Sequence, residues 1–325
     1  MGIVLFAAGL GLLVVGAELL VRGASRLATM LGISPMVIGL TIVALGTSTP
    51  ELAVGVTASW QGSGGLAVGN VAGANLFVML MVFGLSALLR PLPLHLQIFK
   101  LELPMIVLAA TLLTVLAWDG VLSRVDGLVM FLAGCLYTGA LMVVTRRSSR
   151  EAQQDFLDEY GLDKIPSARR LWRGKLWYGI MLLVGIALTV IGADMLVAGA
   201  IQIANFFGVS ATIIGLTVVA FGTSAPELVT TIVATIKDER DVAIGNLLGS
   251  GIYNILGILS IICMVSPDGL PVEPQLLWFD IPLMAGVAIG AIPVFWTGKR
   301  ISRFEGGLGI TIYLTYLMWL IFLRT

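Results

Sequence analysis

Two glutamates sit where a carboxylate is costly. Glu51 ends the run Gly46-Thr47-Ser48-Thr49-Pro50-Glu51, and Glu227 ends Gly222-Thr223-Ser224-Ala225-Pro226-Glu227, each within an apolar segment. The full copies run from Gly39 to Leu52 and from Gly215 to Leu228, 176 residues apart with no gap. An ionisable group in such a stretch is expensive, so its duplication calls for a functional explanation. Pro50 and Pro226 each remove a backbone donor and clash with the preceding turn, which predicts a broken helix. Gly46 and Gly222 weaken the same turn. Carbonyls from Ala44 to Ser48 and from Ala220 to Ser224 can then turn away from helical bonding. The hydroxyls of Thr47, Ser48, Thr223 and Ser224 add oxygens. A hard cation wants this set, since calcium takes about 6–8 oxygen ligands. Two carboxylates match its charge.

The elements that must position these groups are membrane helices. The 325 residues are 58% hydrophobic and 12% charged, against roughly 25% charged in soluble domains. Apolar stretches long enough to span a bilayer recur along the chain. They lack the two-residue alternation of barrel strands. The fold class expected is an all-α polytopic membrane protein with ten transmembrane helices in two inverted five-helix repeats. Spans are predicted near 2–22, 33–59, 66–88, 101–118, 125–145, 176–200, 209–236, 242–264, 277–297 and 304–323. The first apolar segment lacks a basic start and a cleavage site, so it reads as a span. A net charge of zero implies no general affinity for nucleic acid. Cys135 and Cys263 read as packing residues, and His95, in a polar loop, is given no role.

The duplication extends through the chain. Gly16-Ala17-Glu18 matches Gly192-Ala193-Asp194, and Gly69-Asn70-Val71-Ala72-Gly73-Ala74 matches Gly245-Asn246-Leu247-Leu248-Gly249-Ser250. Glu102-Leu103-Pro104 matches Asp280-Ile281-Pro282, and Ser123-Arg124-Val125-Asp126 matches Ser302-Arg303-Phe304-Glu305. The domains expected are a first repeat over 1–145, a cytoplasmic linker over 146–175 read as a solvated loop, and a second repeat over 176–325. Within the halves, 39–78 and 215–254 are the matching inner repeats, each holding one carboxylate motif. Five spans per half oblige the second half to enter the membrane the other way up, a plan of secondary transporters. With both termini outside, 17 of the 19 Lys and Arg lie on the inner side, and only Arg124 and Arg324 lie outside. Such a bias supports that orientation in the cell's inner (plasma) membrane.

Both motifs lie mid-span, so inversion should bring them together near the bilayer centre. Gly69, Gly73, Gly245 and Gly249 form small-residue faces on the third and eighth spans that permit close helix approach. Ser250 and Asn254 share one face of the eighth span. Glu18 has Arg22 one turn on, a local ion pair; Asp194 has Ala198 there. Trp60, Trp118, Trp172, Trp177 and Trp278 read as interfacial anchors.

On these residues the chain resembles the cation/calcium exchanger superfamily, and within it the prokaryotic sodium/calcium exchanger-like members. The two copies of Gly-Thr-Ser-x-Pro-Glu, each followed by Gly-Asn-x-x-Gly-x, carry the resemblance over essentially the whole chain. It implies antiport of calcium against sodium by alternating access. It also implies that Glu51 and Glu227 are the paired carboxylates of a calcium site, with the carbonyls of Thr47 and Thr223 as axial oxygens. Ser48 and Ser224, with the backbone of Ala44 and Ala220, resemble ligands of flanking sodium sites. Ser250 matches a sodium-ligand hydroxyl, and Asn254 matches the polar position facing the central cavity. The third span departs from the pattern. Ala74 stands where the family has serine and Val78 where it has asparagine. Asn75, one turn before Val78, reads equally as partial compensation or as helix packing.

The expected partners are transported calcium and sodium and the bilayer; no organic cofactor is implied, and nothing indicates an oligomeric state. A calcium/proton antiporter using the same carboxylates is the alternative, since it needs no extra sodium ligands. A passive channel would conduct without a trans ion. An intramembrane enzyme would want a His- or Cys-bound metal or an activated nucleophile, and the segments offer neither. The glycine-rich first and sixth spans are candidates for a moving pair.

Overall fold

The computed structural model describes residues 1–93, 98–160, 168–207, 220–296 and 300–323. Among these, ten helical stretches follow one another. They are α1 (Gly2–Leu31), α2 (Pro35–Trp60), α3 (Gly64–Leu89), α4 (Lys100–Asp119), α5 (Arg124–Tyr160), α6 (Ala168–Phe206), α7 (Ala225–Ile236), α8 (Arg240–Val265), α9 (Leu276–Val294) and α10 (Arg303–Leu323). Eight of the described helices, all but α7 and α10, meet the length and hydropathy needed to cross a membrane. Residues 209–219 of the expected seventh span, His95 and Arg324 lie outside the described residues.

Three helices are longer than their apolar runs. α1 continues to Leu31, where Gly32 ends it in the left-handed region at φ 66°. α5 runs on to Tyr160 and α6 begins at Ala168, so the expected solvated linker is helical on both sides of residues 161–167. The reason is propensity: Arg, Glu, Gln, Ala and Leu in this stretch are good helix formers. Hydropathy marks only the part of a helix that needs lipid.

Two short antiparallel ladders establish how the halves sit. β1 (Leu92–Pro93), between α3 and α4, pairs with β4 (Arg300–Ile301), between α9 and α10. β2 (Val121–Leu122), between α4 and α5, pairs with β3 (Leu270–Pro271), between α8 and α9. The α4–α5 and α8–α9 connections therefore share a face. In the duplication the α8–α9 connection corresponds to the α3–α4 connection, at the opposite end of α4. The second half is upside down relative to the first. Trp118, ending α4, and Trp278, opening α9, meet edge to face with centroids 5.3 Å apart, again placing those ends together. Wide π turns recur as counterparts at Phe77–Val82 and Asn254–Leu259, and at Ile98–Glu102 and Leu276–Asp280.

The interior is built from α2, α3 and α8, whose apolar windows are 61%, 72% and 78% buried, against 28% for α1 and α6. α1 and α6 instead pack on each other, antiparallel, along a seam of glycines. Gly2, Gly9, Gly16 and Gly23 recur every seven residues on α1, and Gly185, Gly192 and Gly199 do so on α6. A Cβ at Gly9 would lie 2.4 Å from the Leu196 nitrogen, one at Gly16 2.6 Å from the Thr189 nitrogen, and one at Gly192 2.6 Å from the Leu13 nitrogen. Backbone meets backbone along the whole seam. Lipid tails are as apolar as leucine, so this contact area must come from close approach.

Candidate cation site

The site begins with two interrupted helices. α2 breaks at Ser48 (φ −82°, ψ 12°), and the seventh span breaks at Ser224 (φ −92°, ψ 11°). Pro50 and Pro226 occupy the first turn of the helix that restarts, where a missing N–H does no harm. The break is narrower than the expectation of carbonyls turned out from Ala44 to Ser48. Ala44–Thr47 and Ala220–Thr223 stay helical, and Ser48 N–H still donates to the Ala44 carbonyl at 3.1 Å. The Thr47 hydroxyl lies 3.3 Å from that carbonyl and shares its single proton between it and Asn246 Oδ1. Local hydroxyls satisfy what proline leaves open: Thr49 Oγ1 donates to the Gly46 carbonyl at 2.8 Å. Glu51 and Glu227 stand in the first turn of the restarted helices, where free N–H groups and the helix dipole favour negative charge.

The two motifs hold each other. Ser48 Oγ donates to Glu227 Oε1 at 2.9 Å, and Ser224 Oγ donates to Glu51 Oε1 at 2.9 Å. Glu51 is 0% exposed and Glu227 1%. The second oxygen of each, Oε2, is buried without a hydrogen-bond partner among the described residues. So are Ser250 Oγ and Asn254 Oδ1 on α8. Buried oxygens left bare are costly, and in a native site they call for an ion or water. The geometry spends one oxygen of each carboxylate on the opposite serine and leaves the other bare. Among the described residues, no cluster of three or more His, Cys, Asp or Glu exists to hold a metal ion.

The threonines have another task. Thr47 Oγ1 donates to Asn246 Oδ1 at 3.2 Å, and Thr223 Oγ1 to Asn70 Oδ1 at 3.4 Å. These reciprocal bonds tie each broken helix to the wall helix of the other half. In the Gly-Asn pairs the spacing explains the glycines by packing, and these bonds give the asparagines a role as well. Their duplication within an apolar span was the signal for the asparagines. The two are not equivalent: Asn246 Nδ2 donates to Thr231 Oγ1 at 3.1 Å, but the counterpart of Thr231 is Gly55. Asn70 Nδ2 is left buried without a hydrogen-bond partner among the described residues. Gly245 and Gly249 perform the close approach expected of them. Their Cβ positions would fall 2.4 Å from the Met36 carbonyl oxygen and 2.5 Å from that of Leu40. The duplication counterparts of Met36 and Leu40, residues 212 and 216, lie outside the described residues. On α3, Ala74 and Val78 are buried, 5% and 0% exposed, and offer no side-chain oxygen.

At the far end of α7 from Glu227, α1 is tied to the turn between α7 and α8. Glu18 Oε1 accepts from Arg22 at 3.1 Å, as its spacing implied, and also from Lys237 Nζ at 2.6 Å. Ser25 Oγ donates to Glu239 Oε2 at 2.8 Å. Asp238, at φ 64°, accepts from Arg240 at 2.7 Å and Arg90 at 3.1 Å, which hold its exposed carboxyl below its ordinary range. The corresponding turn in the first half reads Gln61-Gly62-Ser63, and Arg22 and Ser25 correspond to Ala198 and Ile201. The charged tie belongs to one side only.

Known proteins are similar to this chain over nearly its whole length. The family model described as sodium/calcium exchanger protein matches residues 1–143 and 177–322. Inner membrane protein YrbG of Escherichia coli (strain K12) is 34% identical, over 97% of this chain and 94% of that protein. Sodium/calcium exchanger MaX1 of Methanosarcina acetivorans is 31% identical, over 97% of each. A solved structure of the sodium-calcium exchanger NCX_Mj superposes with a TM-score of 0.82 at 27% identity, covering 97% of both chains. This similarity extends through both inverted halves and both copies of the carboxylate motif, and the chain belongs to the sodium/calcium exchanger protein family.

Proposed function

We propose that this protein is a secondary active antiporter that exchanges calcium for sodium by alternating access at one midplane site. The observation that carries the reading is the reciprocal pair Ser48–Glu227 and Ser224–Glu51, with Oε2 of both carboxylates bare. Glu51 and Glu227 neutralise a divalent ion together. The Thr47 and Thr223 carbonyls supply axial oxygens. Ser48, Ser224, Ser250 and Asn254, with the backbone of Ala44 and Ala220, serve sodium. A charge at mid-membrane costs about 2.5–3.5 kcal/mol on insertion scales. Two bare carboxylates therefore resist crossing unloaded, and this enforces exchange over leak. Both termini face outward and the 146–175 segment faces the cytoplasm, as the bias of basic residues supports. The buried Ala74 and Val78 favour the second reading, calcium/proton antiport at the same carboxylates. The deciding experiment is calcium flux into proteoliposomes with sodium and pH gradients imposed separately. Uptake should follow the sodium gradient. Uptake that follows only the pH gradient selects the proton reading, and uptake without any trans ion means a channel.

The α1–α6 pair is the moving element. It is peripheral, held to itself by the glycine seam, and joined to the interior at its Arg22 end by the Glu18–Lys237 tie. An exposed ion pair of this kind contributes up to about 1 kcal/mol. Lys237→Met should therefore raise the initial exchange rate roughly two- to fivefold, and the salt dependence of the rate should flatten. Unchanged rates in Lys237→Met and Glu18→Gln would remove the tie from the transport cycle.

A further inference from the structure

One turn before Val78 on α3 stands a side chain that the cation-site reading does not use. Asn75 on α3 is 2% exposed. Its Nδ2 donates to the Gly251 carbonyl at 3.2 Å, and its Oδ1 accepts from Asn254 Nδ2 at 3.2 Å. Nδ2 also rests against Met284 Sδ at 3.6 Å. Asn75 and Gly251 are counterparts in the duplication, so the first bond crosses the pseudo-two-fold.

We infer that Asn75 is a positioning residue that sets the polarity of Asn254, and through it the charge of the cation site. A carboxamide has a donor end and an acceptor end of nearly equal shape, and only its partners decide which end points where. A main-chain carbonyl accepts and never donates. The Gly251 carbonyl therefore claims the nitrogen of Asn75. That leaves Asn75 with an oxygen, which claims the nitrogen of Asn254. Asn254 Oδ1 is the one end left unspent, and it is buried without a hydrogen-bond partner among the described residues. The relay runs one way: carbonyl, Asn75, Asn254, then a bare oxygen. Reversed, it would set two oxygens against each other at Gly251 and turn an NH₂ group toward the cation. The same relay disfavours aspartate in place of Asn254, because a carboxylate would face Asn75 Oδ1 with no proton between them. The site is thereby kept to two carboxylates, Glu51 and Glu227. This rests on the reading of Asn254 as a cation ligand.

The test is a double-mutant cycle of Asn75→Leu and Asn254→Asp, read as calcium affinity of the purified full chain by titration calorimetry. Asn75→Leu alone should weaken calcium binding by about tenfold, the scale of one lost interaction with a charged group. The carboxylate that Asn254→Asp introduces carries an oxygen at both ends and needs no relay. Asn254→Asp should therefore tighten binding at least about tenfold more in the Asn75→Leu background than in the wild type. A side chain that only fills space would give no such rescue. An additive cycle, or Asn75→Leu within twofold of wild type, overturns the relay. If the leucine variant is not recovered as monodisperse protein, the cycle is run with Asn75→Ala, which removes the amide without adding volume. Glu51→Gln, measured alongside, separates the two ideas. Calcium binding retained in that variant removes the carboxylate site itself, whereas binding lost there with an additive cycle removes only the relay.

Discussion

Glu51→Gln and Glu227→Gln should each lower calcium exchange in proteoliposomes by at least about a hundredfold, the equivalent of one mid-membrane charge on insertion scales. The geometry says why neither replaces the other. Each glutamate has one oxygen held by the serine of the opposite motif and one bare oxygen. A glutamine can keep the serine bond through its carbonyl, so the fold should survive. Its amide then points NH₂ where the bare oxygen was, and a donor there repels a cation. The expected phenotype is a normally folded protein, unaltered in size-exclusion profile, with calcium flux at background. Ser48→Ala and Ser224→Ala should be milder, because they free a carboxylate oxygen without removing charge. Calcium exchange persisting in both glutamine variants would sink the two-carboxylate site.

The second large effect concerns the α1–α6 seam. Gly9→Leu should lower thermal stability in detergent and reduce exchange at least about tenfold, since overpacking a close contact costs about 1–3 kcal/mol. A Cβ at Gly9 would meet backbone, with the Leu196 nitrogen at 2.4 Å and the Gly192 oxygen at 2.7 Å. Backbone cannot swing aside as a side chain can, so the helices must part and lose contact along the seam. Gly11 is the internal control, because a Cβ there meets nothing within 4 Å. Gly11→Leu should leave both stability and flux near wild type, measured by the same melting and flux assays. Equal behaviour of the two variants would mean that the seven-residue glycine spacing has no packing role.

Much of the architecture was legible in the primary structure because membrane insertion is a local matter. Each apolar run satisfies its own backbone hydrogen bonds within the helix, so hydropathy alone marks it. It could not mark where α1, α5 and α6 end, because their last turns lie beyond the apolar run, where helix propensity decides. Glu51 and Glu227 stood out by the cost of burying a charge. Asn70 and Asn246 did not, since an asparagine among glycines reads as a packing residue until Thr223 and Thr47 are seen to donate to them. Asn75 read equally as compensation or packing, and the structure shows it bonding both a backbone carbonyl and Asn254.

What the sequence by itself determined is the plan. A duplication of five-span units requires inversion, and two costly carboxylates in matched motifs point to a site for hard cations. Those conclusions follow from counting spans and charges, which need no neighbours. Only the tertiary structure decided how the oxygens are allotted. Ser48 serves Glu227 and not Glu51, Glu18 reaches Lys237 as well as Arg22, and Asn75 orients Asn254. These partners lie far apart in the chain and meet because the pseudo-two-fold crosses the repeats. A hydrogen bond is specified by where the folded helices place donor and acceptor. Periodicity along one helix carries no information about a partner on another.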